Sequence, residues 1–351
     1  MVPFTQLAST YLDNYDTKLN NALKAANGVV AVLGAKGRIK EELGGGDNFR
    51  TRVLYAGNPN VGFGAADAQV GTLKSDGITM SSVPQRFIRG AIVIGDVDRD
   101  RAARQGEWAI GNLIDDNMQQ AMTTYVQEWA SALLKSAPGA NDPLTLLPSS
   151  AQAANGILSP QAPASQTATT AGISRGDNSW WRNQYTNTSI DISTEAGRAL
   201  LYRLAYAPTV FGSSLEDEPD FGLTNDLVIG DIGASVDTNR RADYGDKLMA
   251  QLGLRGIMFY NAMLIRESST QMANKVAFLN TRDLYLKFLR GTTPNSNRET
   301  WDQDNGMGAI PVNVLPFQHD IDSFHTISLF YAVASLVPAQ LRTHSLADNV
   351  V

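Results

Sequence analysis

The chain has 351 residues, 43% of them hydrophobic and 18% charged, which is the composition of a folded globular protein rather than a disordered or fibrous one. That length exceeds the roughly 250–300 residues at which one hydrophobic core stops growing, so two structural lobes are expected. With 29 basic against 35 acidic residues the net charge is −6, which argues against gripping nucleic acid or an anionic membrane through a general positive field.

The scarce residues exclude further chemistry. There is no Cys, so disulfides, thiolate metal sites, iron–sulfur clusters and cysteine nucleophiles drop out. The three His, His319, His325 and His344, all fall late in the chain. No uncharged apolar run approaches the roughly 20 residues that span a bilayer, and Val29 to Leu33 is far too short. The opening Met1-Val2-Pro3-Phe4 lacks the basic and apolar regions of a signal peptide, and an intracellular product is expected.

In chain order, Leu7 to Ala26 reads as an amphipathic helix, with Leu7, Tyr11, Tyr15, Leu19 and Leu23 on one stripe and Gly28 as its terminator. It reads either as an arm reaching a partner or as an ordinary packed helix. Two β-rich stretches follow, Phe49–Tyr55 and Arg86–Ile94, flanking a Gly-, Ala- and Ser-rich middle. Both alternate apolar and basic residues, as a two-faced ribbon does. Arms of about 20 residues would reach on the order of 65 Å, and so long a ribbon is marginal alone. A neighbouring subunit is the expected support. Next, Ile110, Ile114, Met118, Ala121, Tyr125, Trp129 and Ala132 form one stripe of a helix from Gln105 to Lys135, about 45 Å long.

From Asn141 to Ser174, Pro, Ala, Ser, Thr and Gln predict irregular surface chain and a lobe boundary. A helix follows from about Ser193 to Tyr206, capped by Ser193 or Thr194. Gly256–Tyr260 and Lys275–Leu279 are the clearest strands of the next region, and a last strand pair spans about Val312–Phe317 and Thr326–Ser335.

No enzyme signature emerges. Asp96, Asp98, Asp100 and Glu107 mimic a calcium-loop spacing, but Arg101 occupies the position that needs Gly, and an acidic helix N-terminus is the simpler reading. Glu216-Asp217-Glu218-Pro219-Asp220 reads as solvated loop before it reads as a metal site. Gly34-Ala35-Lys36-Gly37 lacks the P-loop spacing. His319 and His325 with Asp320 and Asp322 have no G-x-S-x-G elbow to serve and need a distant third ligand, such as His344, to hold zinc. No catalytic residue, cofactor or metal is assigned.

The order of elements and several motifs resemble the major capsid proteins of tailed bacteriophages, the Hong Kong 97-type fold shared with herpesvirus shell floors and encapsulins. Ser179-Trp180-Trp181-Arg182-Asn183-Gln184 follows a Gly-Ile-Ser-Arg-Gly-Asp stretch; Leu201 to Leu204 precedes Pro219 to Leu223; and Phe278-Leu279-Asn280-Thr281 comes before Tyr285-Leu286. The resemblance covers essentially the whole chain.

It implies an α+β fold with an N-terminal arm (1–48), an extended β-hairpin loop (49–94), a peripheral domain with a long spine helix (95–190), an axial domain (191–306) and a return to the peripheral domain (307–351). It implies hexamers and pentamers of this chain in an icosahedral shell around double-stranded DNA, which is bound without sequence specificity. A scaffolding protein and a portal are expected partners, a decoration protein an optional one, and no membrane is involved. The virion is the expected location, with assembly in the host bacterial cytoplasm. The arm begins almost at Met1, with no long pre-segment, so a separate scaffolding protein is expected. Contact candidates between subunits are Tyr11, Tyr15, Phe49, Val53, Tyr55, Phe87 and Ile88. Lys74, near the loop tip, has no feature around it that supports a covalent cross-link.

Overall fold

The structure, a computed structural model, describes residues 28–42, 46–58, 60, 76–135, 139, 141–147, 156–207, 218–235, 256–259, 262–267, 272–289, 313–314, 318–320 and 325–351. The expected helix from Leu7 to Ala26, with Tyr11 and Tyr15, lies outside these residues, as does Lys74.

Helix α1, Gly28–Ala35, begins where the sequence predicted a stop. Its Val29–Leu33 run is apolar on every side and buried on every side, so burial overrides the poor helix propensity of Gly and Val. The helix ends at Gly37 (φ +66°): Arg38 N–H bonds the Leu33 carbonyl at 2.7 Å and Gly37 N–H bonds the Gly34 carbonyl at 3.0 Å. That is a Schellman close. The Gly34–Gly37 turn therefore presents carbonyls, the wrong polarity for phosphate.

Short strand β1, Ile39–Glu41, is followed by β2, Asn48–Leu54, β3, Ile78–Pro84, and β4, Phe87–Gly95. Contrary to the sequence expectation, β2 pairs with β3, from Asn48 opposite Pro84 to Leu54 opposite Ile78, and not with β4. Strand β4 instead joins the main sheet. The paired arms are 7 residues each, so the two apolar–basic stretches are not two sides of one ribbon.

The helix expected from Gln105 to Lys135 is α3, Glu107–Leu134, and a separate helix α2, Asp96–Gln105, precedes it. They break at Gly106, whose φ of +109° a side chain would not tolerate. At 28 residues, α3 is about 42 Å long. Of its predicted stripe, Ile114, Met118, Tyr125 and Trp129 are all 3% exposed or less, and Ile110, Ala121 and Ala132 are half-buried. Ile114 and Met118 pack on Ile92 and Ile94 of β4.

Of the stretch expected from Asn141 to Ser174, the described residues 141–147 and 156–174 are largely irregular as predicted, but with the chain on to Trp181 they contribute to the core rather than lying on the surface. Leu146, Ile157, Leu158 and Trp181 are fully buried. Arg175 makes this possible. Buried itself, it gives Nη2 to the Gly156 and Ile157 carbonyls (2.8 and 2.7 Å), Nη1 to Gln166 Oε1 and Asn183 Oδ1 (3.0 and 2.8 Å), and Nε to Thr170 Oγ1 (3.1 Å). One guanidinium thus satisfies the polar groups that a buried loop would otherwise leave unpaired. Desolvation pushes its pKa down to about 10, which leaves it charged at neutral pH. Strands β5, Thr169–Thr170, and β6, Ile173–Ser174, form a short hairpin in this segment.

The remaining elements are β7, Gln184–Thr186; α4, Glu195–Tyr206; β8, Phe221–Thr224; α5, Asp226–Ser235; β9, Gly256–Phe259; β10, Ala262–Arg266; β11, Lys275–Leu279; β12, Leu284–Leu289; β13, Asn313–Val314; β14, Gln318–Asp320; β15, His325–Pro338; and β16, Ser345–Asp348. Thr194 caps α4 as expected, accepting from Gly197 N–H at 3.1 Å.

Among the described residues there are two six-stranded sheets. In the first, the 14-residue β15 is central, with β4 antiparallel on one side and β12, β13 and β14 along the other; β1 adds parallel to β12. The second runs β7-β16-β11-β8-β10-β9. Its inner strands are buried on both faces: Leu264, Val276 and Phe278 meet α4 and α5, while Leu223, Ala277 and Leu279 join the main core. The expected boundaries at 48 and 306 do not coincide with the sheets. Residues 28–41 belong to the main core, β12 to the first sheet and β16 to the second, because each strand lies where its ladder partner does. No helix among the described residues is long and apolar enough to cross a membrane.

Candidate assembly surface

The β2–β3 ribbon has two unlike faces. Because side chains alternate, Phe49 and Val53 point one way, and with Val83 they are fully buried in the main core. Ser81 donates to the Pro338 carbonyl at 3.0 Å. Lys287 holds Glu42 at 2.7 Å and also donates to the Arg50 carbonyl. Tyr55 stacks on Trp180 at 4.8 Å, and its hydroxyl donates to the Asp76 carbonyl. Of the expected contact residues, Phe49, Val53 and Tyr55 are therefore engaged by their own chain. The support sought in a neighbouring subunit is, for the base of the ribbon, this chain's own core.

The opposite face carries Arg50, Arg52, Leu54, Ile78 and Met80. Leu54 sits opposite Ile78 and Arg52 opposite Met80, and the three apolar side chains are 50%, 63% and 53% exposed. Sequence reasoning missed them. The available signal was Leu54, which falls in phase with the arginines and out of phase with Phe49 and Val53.

Phe87 and Ile88 are consecutive in β4 and so lie on opposite faces of the first sheet. Ile88 packs on the core, whereas Phe87 is exposed, as are Val93 and Leu329 further along the same face. Registry places Phe87 opposite Val333 and Ala91 opposite Leu329, so these residues form one apolar strip on the side of the sheet away from α3. Arg89 interrupts it. Gly90 lies under the Phe330 ring on the other side, with no room for a Cβ.

The acidic motifs have structural partners. Asp96 and Asp98 lie in the first turn of α2, where carboxylates favour the helix dipole; Asp96 pairs with Arg99 at 3.2 Å and Asp98 with Arg101 at 3.7 Å. Asp220 accepts from the Thr281 amide (2.8 Å) and hydroxyl (2.5 Å) and faces Lys36 at 3.9 Å; Glu216 and Asp217 lie outside the described residues. His325, exposed, begins β15, and His319 lies in β14 opposite Thr326. His344 is fully buried away from both. No group of three or more His, Asp or Glu side chains among the described residues is placed to hold a metal.

No protein-family model matches the chain, and no curated protein matches it in sequence. Solved structures do. The capsid asymmetric unit of cyanophage A-1(L) is 17% identical, covers 92% of this chain and 93% of its own, and superposes with a TM-score of 0.58. The capsids of the native and empty GTA particles are 14% and 13% identical, each cover 91% of this chain and 90% of their own, and give 0.51 and 0.50. At such identities the likeness is one of fold, and it runs nearly end to end: this chain has the α+β fold of phage capsid subunits.

Proposed function

We propose that this chain is the major capsid protein of a tailed phage, assembling as hexamers and pentamers into an icosahedral shell around double-stranded DNA. The observation that carries the reading is the likeness to the cyanophage capsid subunit over 92% of this chain and 93% of that one. A second supports it: Leu54, Ile78 and Met80 stand exposed on a two-stranded ribbon, where an exposed apolar face marks a contact surface.

In this reading the lobe built on the second sheet meets its copies around five-fold and six-fold axes. The lobe carrying α3 makes contacts between capsomers, and the ribbon reaches neighbouring copies. Heterologous contacts of this kind close into rings. Scaffolding and portal proteins are the expected partners, a decoration protein an optional one, and the virion the location, after assembly in the bacterial cytoplasm. The role is structural, and a net-acidic wall lets packaged DNA slide rather than adsorb.

Electron microscopy of particles formed on expression, with and without neighbouring phage genes, tests this. Large closed heads are expected; chains that stay monomeric would overturn it, and small shells around a protein cargo would assign the chain to a cellular compartment instead. Metal analysis of Asp96→Ala and Glu216→Ala tests a hydrolase reading: a lost activity with unchanged assembly would favour the enzyme.

A further inference from the structure

Two short crossovers join the sheets. One leads from β11 to β12 through Asn280–Asp283, the other from β15 to β16 through Ala339–His344. They are tied to each other directly. Ala339 N–H donates to the Asp283 carbonyl at 2.7 Å, and Asn280 N–H donates to His344 Nδ1 at 3.1 Å. His344 also fixes a third segment, because its carbonyl accepts the Gln184 N–H at 3.0 Å where β7 begins. An imidazole that accepts at Nδ1 is neutral and carries its hydrogen on Nε2. The whole side chain is buried.

We propose that His344 is a pin that holds the two sheets in one setting only while its ring is neutral, and that protonation of the ring unlocks the joint. A proton on Nδ1 removes the acceptor and turns an N–H against the Asn280 N–H. It also creates a second buried cation near Arg175, whose partners are all neutral oxygens.

The charged and titratable groups on the segments around the ring are few. They are Arg175 on the buried irregular segment, Arg282 and Asp283 on the facing crossover, Asp220 bonded to Thr281, Arg342 on its own crossover and Tyr185 on β7. Arg175 is the one whose charge acts on the ring, and it opposes protonation; the Gln340 carbonyl favours it, less strongly than burial opposes it. Burial thus pushes the His344 pKa down from 6.5 to about 3. A base depressed in this way stabilises the closed joint fully above the unperturbed value. The contribution falls away as pH drops from 6.5 towards 3, because the open form takes up a proton that the closed form refuses. At pH 5 the open population should be about 30-fold higher than at pH 7.5.

Hydrogen–deuterium exchange on the full chain, corrected for the intrinsic pH dependence of exchange, reads this locally. In the wild type, peptides spanning 280–283 and 339–344 should open about 30-fold more at pH 5 than at pH 7.5, with no such change in peptides from α3. His344→Gln offers an amide oxygen to the Asn280 N–H and does not titrate, so it should keep most of the protection and flatten the pH dependence. His344→Phe should lose protection at both pH values. A wild-type slope surviving in His344→Gln, an equal slope in α3, or intact Asn280 protection in His344→Phe would each overturn the proposal. If His344→Phe fails to fold, the Gln comparison still decides. The inference rests on the fold alone, so it stands or falls separately from the shell reading.

Discussion

Arg175 shows how much one side chain holds. Replacing it with Met would take away the donor of the Ile157 carbonyl and of Gln166 Oε1 in a buried segment, while Asn183 Oδ1 keeps the Ser159 N–H and the Gly156 carbonyl keeps the Thr170 hydroxyl. Each buried acceptor left unpaired costs roughly 1–3 kcal/mol, so Arg175→Met should lose at least about 2 kcal/mol in denaturant unfolding, with Arg175→Lys between the two. A loss under about 1 kcal/mol would mean that the segment finds other partners. Gly197 is a second such point, where two effects oppose. Alanine gains up to about 1 kcal/mol of helix propensity, but its Cβ would lie 1.9 Å from the Asp191 carbonyl oxygen. Overpacking of that kind costs about 1–3 kcal/mol, so Gly197→Ala should lower the melting temperature. Both residues stand within or beside stretches that the sequence singled out, yet neither role could be read there. Arg175 bonds carbonyls brought together by irregular chain, and Gly197 is constrained by a loop that periodicity does not describe.

At the scale of elements, regular periodicity read well and pairing did not. The buried stripe of α3 and the Thr194 cap follow from spacing alone, since both depend on residues within a turn or two. The partner of β4 does not: β4 has the alternation expected of a ribbon arm, and only the tertiary ladder shows that it belongs with β15, far along the chain. The same limit inverted the faces of the ribbon. Its two faces now predict different failures. Replacing Leu54, Ile78 and Met80 together with Ser should change subunit stability by no more than about 0.5 kcal/mol per site. Closed particles should nevertheless become scarce under the electron microscope. Phe49→Ala empties a core site instead and should cost about 3–5 kcal/mol, visible as early unfolding of the subunit itself. If the triple variant forms normal shells, the exposed face is not a contact.

For the whole molecule, composition indicated two lobes, and the described residues form two six-stranded sheets, but these share a core. One hydrophobic cluster runs from α1 and α3 through β12 and β15 to Leu223, Ala277 and Leu279 of the second sheet. Unfolding should therefore be a single transition, with far-ultraviolet circular dichroism and tryptophan fluorescence superimposing along a denaturant titration. Two separated transitions would show that the sheets stand independently. Lobe number was legible because burial scales with length. The interleaving was not, because strands exchanged between sheets leave no mark in composition.

That exchange also sets a timetable. Strand β16 lies between β7 and β11, yet it is translated long after both. Until residues 345–348 have left the ribosome, β7 has no ladder partner and the edge of β11 stays open. A half-made chain thus carries an exposed sheet edge throughout its synthesis, the kind of surface that invites mispairing and holds chaperones. In a cell producing many copies at once, the interval between β11 and β16 is the period of greatest risk, and slowing translation there should raise the share of chains that aggregate.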